Sequence, residues 1–168
     1  KRFAAVLDGV KPVQTFVAAT AAVREAADGQ AFCDRVAAET GLVIRVLSGE
    51  EEARYAALGV VGGIPGTEGV VADLGGSSLE LVSVRDGEAG SGVTLPLGPF
   101  SMTGKSAAGR DAREAIASRL EAAGEYRAQT LYAVGGAWRS LAQMHMAHAR
   151  YPLQIVHQYE MDAGEALE

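Results

Sequence analysis

A strand, a helix and a second strand follow one another between residues 13 and 46, and this order constrains the fold more than any other feature. Val13 to Ala19 is rich in Val, Phe and Ala and reads as a strand. Asp28 then stands at the N-cap of a helix that carries Phe32, Val36 and Ala37 at helical spacing and is closed by Gly41 after Thr40. The β-branched run Val43-Ile44-Arg45-Val46 reads as the second strand. A helical crossover between two strands of one sheet leaves them parallel, so this segment predicts a βαβ unit and an α/β fold class.

The chain then changes style. Ser48 and Glu51 form a Ser-x-x-Glu capping box that starts a helix through Arg54, Tyr55 and Leu58. Residues 59–69 hold five glycines and Pro65, a stretch expected to break regular structure and to mark a domain junction, with one part at 1–58 and another at 59–168. Beyond it, Val70 to Ala72, Leu79 to Val84 and Val93 to Leu97 read as three strands, the last two joined through Asp86-Gly87. An Ala-rich helix is predicted over 109–123 with Ile116 and Leu120 facing inward, then a strand from Thr130 to Val134, a turn at Gly135-Gly136 and a helix from Ala137 to Ala147. A last helix is expected after Asp162. The chain opens on Lys1-Arg2 without a Met, and part of a longer protein is expected.

Composition excludes several classes. A net charge of −6 argues against electrostatic binding of duplex nucleic acid, though a small polyanion held by backbone donors stays compatible with it. No segment has the apolar run that a membrane helix or a secretory signal requires. The lone cysteine, Cys33, falls in the predicted first helix and reads as a small buried hydrophobe, which favours a reducing, cytoplasmic home.

Two segments carry candidate chemistry. In the run Val70 to Leu81 a buried strand ends in Asp73, four small residues (Gly75, Gly76, Ser77 and Ser78) turn the chain, and a strand resumes with Glu80 inside it. Small residues let backbone N–H groups approach phosphate oxygens, and a strand-end carboxylate is a natural anchor for Mg²⁺ through the waters that ion keeps. A plain Gly-Gly turn beside an incidental Asp is the other reading the spacing allows. In Ser48 to Arg54, Glu51 is explained by capping and Glu50 by the helix dipole, whereas Glu52 is left as a carboxylate able to take a proton from water. Capping without catalysis is the alternative there. The run Gly98 to Ser106 imitates a P-loop but has five residues between its glycines where four are required. His145 and His148 lie three apart on a helix without a third ligand nearby, which favours a packing role.

Taken in order, five segments resemble the exopolyphosphatase and guanosine pentaphosphate phosphohydrolase (Ppx/GppA) family. Residues 18–26 resemble its "ATSAVRDA" segment, residues 48–54 its "SGxEEAR", Asp73 to Leu81 its "DIGGGSTEL", Leu95 to Gly98 its "LPLG", and residues 133–142 its "GGTxRALA". The resemblance implies a ribonuclease-H-like α/β fold of the actin, Hsp70 and sugar kinase superfamily, with parts of two domains flanking a cleft. It implies Glu52 as the catalytic base and Asp73 as the carboxylate supporting Mg²⁺. Gly75, Gly76, Ser77, Ser78 and Glu80 would frame the phosphate site, Thr20 and Arg24 would approach it, and Gly135 and Gly136 match a glycine pair that resembles an adenosine-binding motif. The implied activity is release of terminal phosphate from polyphosphate or guanosine pentaphosphate, by chains that often pair as homodimers.

Four departures stand against that pattern. Ser77 replaces the third glycine, Leu79 replaces a threonine, Pro99 and Phe100 follow the Leu-Pro-Leu-Gly segment where the family often carries an Arg, and the family's first phosphate loop, an Asp-x-Gly-Ser-Asn-Ser type sequence, does not occur in this chain. A non-catalytic polyphosphate-binding module and an ATP-dependent phosphotransferase of the same superfamily remain as alternative readings.

Overall fold

The computed structural model describes residues 1–102, 109–121, 123–124 and 126–167. The chain divides into two compact units, Lys1–Glu52 and Ala53–Glu168. The P-loop imitation at 98–106 lies partly outside the described residues.

The first unit opens with helix α1 (Arg2–Val10), which buries none of its residues and which no sequence signal announces. Strand β1 is only Ala18–Ala19, far shorter than the expected strand from Val13, because a strand persists only where a neighbour takes its hydrogen bonds, and Val13 and Phe16 stand in solvent. The neighbour is β2 (Arg45–Val46), which pairs with β1 in parallel, Ala18 opposite Arg45 and Ala19 opposite Val46. Between them lie a single helical turn, α2 (Ala21–Arg24), and helix α3 (Gly29–Thr40). The βαβ reading is therefore correct in order and direction. Asp28 is the N-cap residue of α3, though its side chain makes no cap bond. Gly41 closes the helix at φ 72°, its N–H on the Ala37 carbonyl, a conformation glycine adopts without a Cβ penalty. Cys33 is buried on α3, as its composition suggests.

Helix α4 (Gly49–Gly63) crosses from one unit into the other. It does not stop at Gly59 as the glycine count suggests; it runs on through Gly62 and Gly63 and ends before Pro65. Packing outweighs propensity here. Ala53 and Ala57 are fully buried against Val71, Val82 and Val84 of the second unit's sheet.

That sheet contains β3 (Gly69–Leu74), β4 (Leu79–Arg85), β5 (Glu88–Leu95) and β6 (Leu131–Val134) in the order β5-β4-β3-β6. The first three form the expected antiparallel meander, and β6 joins β3 in parallel with Asp73 opposite Val134. Asp86 and Gly87 both have positive φ, 52° and 74°, the geometry that lets a two-residue loop follow the strand twist. One sheet face packs Val70, Ala72, Leu79, Leu81 and Leu95 into a second cluster with Tyr126 and Trp138 beside it.

Helix α5 (Gly109–Glu121) departs from expectation in one respect. Ile116 and Leu120 are each 38% exposed, not buried. Leu120 borders a cavity of about 600 Å³ lined also by Val70, Leu79, Leu81 and Trp138, so it meets open space in place of packed side chains. Helix α6 (Gly136–His148) follows β6 directly and buries Ala142 and Met146. In place of a last helix there is one 3₁₀ turn, Glu165–Leu167. Among the described residues no helix is long and apolar enough to cross a membrane.

Candidate functional site

The second unit gathers most of the expected phosphate-site residues at one edge of its sheet. Asp73 sits near the C-terminal end of β3, and Glu80 lies directly opposite it on β4. Opposite residues of an antiparallel pair project from the same face, so the two carboxylates share the face that packs on α4, with Cβ atoms about 5 Å apart. Asp73 is half-buried, and Glu80 is only 3% exposed.

Between these strands, Gly75 to Ser78 make a tight connection in which the Gly75 N–H donates to the Ser78 carbonyl at 2.9 Å. The carbonyls of Gly76 and Ser77 accept from the N–H groups of Phe100 (2.8 Å) and Gly98 (3.1 Å). Three consecutive carbonyls are thus tied up from within the unit, and the loop is fastened to the segment after β5. None of the four residues has a positive φ. The serine at 77 therefore costs the backbone nothing, and the departure from the third glycine is accommodated. The small residues answer a different need, which is close approach. A Cβ on Gly76 would come within 2.9 Å of the Phe100 ring, and one on Gly98 within 2.4 Å of the Gly76 and Ser77 backbone. Ser78 is buried and Ser77 half-buried, while Gly75 and Gly76 are exposed.

Gly135 closes the other side of Asp73. It is the N-cap residue of α6 at φ 110°, and a Cβ there would stand 2.5 Å from the Leu74 carbonyl oxygen and 2.9 Å from Asp73 Oδ1. Only a residue without a side chain fits between the helix start and the carboxylate. Gly136 has no such constraint; its nearest outside atom is Arg139 Nη2, 3.9 Å away. The parallel pairing of β3 and β6 delivers this geometry, because it brings the end of β6 alongside Asp73.

The first unit holds the remaining candidates. The Thr20 carbonyl accepts from the N–H groups of Val23 (2.9 Å) and Arg24 (3.0 Å), opening α2, while the Thr20 side chain is exposed. Arg24, at the end of that turn, donates from Nη1 to the Leu47 carbonyl at 2.7 Å and to Glu52 Oε2 at 2.5 Å. The capping box forms as read: the Glu51 N–H donates to Ser48 Oγ at 3.1 Å, and the Ser48 N–H to Glu51 Oε2 at 2.9 Å. That N–H, followed by the charge of Arg45, holds the Glu51 carboxyl below its ordinary pKa. Glu51 and Glu52 thus have separate partners on one helix turn, the first spent on the cap and the second facing Arg24.

Among the described residues no group of three His, Cys, Asp or Glu is placed to hold a metal ion. His145 shares a 2.6 Å hydrogen bond with the Tyr159 hydroxyl, and Tyr159 packs edge-on against Tyr151, which gives this histidine a packing role. Sequence reasoning missed three contributors: Gly98, Phe100 and the Leu47 carbonyl. The Leu-Pro-Leu-Gly segment was the available signal for Gly98, and nothing in the pattern points to a backbone oxygen.

The Ppx/GppA phosphatase family model matches residues 1–168. Exopolyphosphatase 1 of Mycobacterium leprae is 38% identical over 101 residues, which cover 59% of this chain and 29% of that protein. Exopolyphosphatase 1 of Mycobacterium tuberculosis is 36% identical over 101 residues, with the same coverage. Among solved structures, an exopolyphosphatase from Cytophaga hutchinsonii matches 98% of this chain and 58% of its own, with TM-score 0.83 and 22% identity. The Aquifex aeolicus PPX-GPPA enzyme matches 90% of this chain and 53% of its own, with TM-score 0.70 and 27% identity. The chain thus spans little more than half of these solved relatives, and its match covers less than a third of the curated ones. The fold is the ribonuclease-H-like α/β fold of the actin, Hsp70 and sugar kinase superfamily. With a match along its whole length, this chain belongs to the Ppx/GppA phosphatase family.

Proposed function

We propose that the intact protein containing this chain is a phosphoanhydride hydrolase that releases terminal phosphate from inorganic polyphosphate. The observation that carries this reading is the construction around Asp73: a strand-end carboxylate flanked by a small-residue loop and by Gly135, whose missing Cβ lets the start of α6 come close to Oδ1. Such an arrangement suits a chain of phosphates, with the remaining loop N–H groups and the Ser77 hydroxyl offered to phosphoryl oxygens. Asp73 and Glu80 are two oxygen donors on one sheet face, a set that fits Mg²⁺, which binds through one or two carboxylates, several waters and substrate phosphates. When bound, that ion would neutralise charge on the phosphoryl oxygens.

Glu52 acts as the general base. Its carboxylate takes a proton from a water, the water oxygen forms a bond to the terminal phosphorus, and the bridging P–O bond breaks with its electron pair on the shortened polyphosphate. The products are orthophosphate and a polyphosphate one unit shorter. Guanosine pentaphosphate presents the same terminal anhydride, and Gly135-Gly136 is where a nucleoside would be sought.

The test is phosphate release by the intact protein from polyphosphate and from guanosine pentaphosphate, with and without Mg²⁺, for wild type and Glu52→Gln. General-base help is worth about 10² to 10⁴ in rate, so Glu52→Gln should lower turnover at least ~100-fold with KM little changed. A wild-type rate in that variant removes Glu52 from the mechanism. Tight polyphosphate binding without phosphate release in the wild type would identify a binding module instead.

A further inference from the structure

We propose that Arg24 is a positioning residue for Glu52, fixing which carboxylate oxygen receives the proton, and is not primarily a ligand of the phosphate chain. This rests on the reading of Glu52 as the base. The two N–H groups of Arg24 Nη1 have two protein acceptors, the Leu47 carbonyl oxygen at 2.7 Å and Glu52 Oε2 at 2.5 Å. That nitrogen has no donor left for a substrate oxygen. Nη2 lies 3.9 Å from a Glu25 carboxylate oxygen, too far for a hydrogen bond but close enough to add to the negative surroundings of the guanidinium.

The geometry also says what is being positioned. Arg24 ends the one-turn helix α2, Leu47 is a buried residue directly after β2, and Glu52 stands in the first turns of α4. One guanidinium therefore fastens the end of α2, the residue after β2 and the start of α4 at the point where the carboxylate emerges. The Arg24 side chain is 25% exposed and that of Glu52 16%, so the charge-assisted bond is only partly screened by water. With Oε2 held, Oε1 has no hydrogen-bond donor among the described residues and is the oxygen left to accept a proton. A carboxylate free to rotate would present either oxygen at variable distance, and misplacement of a reacting group by about 1 Å can cost about 100-fold in rate.

The experiment measures kcat and KM for phosphate release from polyphosphate by the intact protein, in wild type, Arg24→Gln, Arg24→Lys, Glu52→Gln and the Arg24→Gln/Glu52→Gln double variant, with thermal melts of each. Arg24→Gln is expected to lower kcat about 100-fold with KM changed less than about threefold. Arg24→Lys should recover part of the loss, because an ammonium can meet Glu52 but lacks the planar fork that serves both acceptors. In the Glu52→Gln background, Arg24→Gln should cost less than about threefold more, since a group acting through the base has nothing left to position. A raised KM at unchanged kcat would make Arg24 a phosphate ligand and overturn the proposal. So would fully additive losses in the double variant, or a kcat loss that follows a fall in melting temperature and is not recovered by lysine. A wild-type rate in Glu52→Gln alone would instead sink the underlying reading of the base.

Discussion

Gly135 shows how a residue with no side chain can set the position of one that has. Its φ of 110° lies where L residues are strained, and a Cβ would meet the Leu74 carbonyl oxygen and Asp73 Oδ1. Gly135→Ala therefore incurs backbone strain and a clash together, and a loss of about 1–3 kcal/mol is expected. Gly136→Ala, whose Cβ would meet only Arg139 Nη2 at an ordinary contact distance of 3.9 Å on a helical backbone, should melt close to wild type. Chemical denaturation of the two variants checks this, and equal stability for both would show that the close approach to Asp73 is not enforced. At this scale the sequence is informative about residue types and poor on partners. Asp73, Glu80 and Glu52 stand out as carboxylates in small-residue or helix-start settings. The bond from Arg24 to the Leu47 carbonyl spans 23 positions and ends on a backbone atom, which carries no side-chain signature. The reason for the loop glycines was also hidden: dihedral freedom is the usual inference, whereas here contacts to Phe100 and Gly98 decide.

Helix α4 is where local signals and the fold disagree most. Its start is legible, since Ser48 and Glu51 satisfy each other's backbone N–H as the spacing demands. Its end is not, because Gly59, Gly62 and Gly63 read as a break but are carried along by a helix already anchored through Ala53 and Ala57. Each glycine still adds backbone entropy to the unfolded chain. A Cβ at Gly59 would meet nothing within 4 Å, so Gly59→Ala is expected to stabilise the protein by about 0.5–1 kcal/mol, read as a raised melting temperature. A lower melting temperature would mean that the glycine is needed for a contact outside the described residues. The same logic explains why β1 shrinks to two residues while β3 and β4 run to full length. Beyond the bond from the Arg45 N–H to the Val17 carbonyl, the strand propensity from Val13 onward has no paired neighbour, whereas Val70 to Asp73 is flanked on both sides by β4 and β6.

The two units differ in how much they bury, and this predicts two levels of stability within one chain. The second unit has a four-stranded sheet covered on both faces by clusters that include Val70, Val71, Ala72, Leu81, Val82 and Val84. The first has a two-stranded parallel sheet, a helix α1 with no buried residue, and Phe3, Val6, Val10 and Phe16 exposed. Two strands and few buried contacts give little protection against local opening, because opening free energy rises with the apolar surface that must be exposed. Hydrogen exchange on the 168-residue chain should therefore find the amides of β3 and β4 slowest, those of α3 intermediate and those of α1 close to unprotected. Exchange from α1 as slow as that from β3 would contradict this and require some cover over α1. Glu52 stands on α4 directly before the fully buried Ala53, so its backbone is anchored with that helix. Its carboxylate is turned by the side-chain bond from Arg24, whose own helix α2 lies in the sparsely buried unit, and that bond is the main constraint on where Oε1 points.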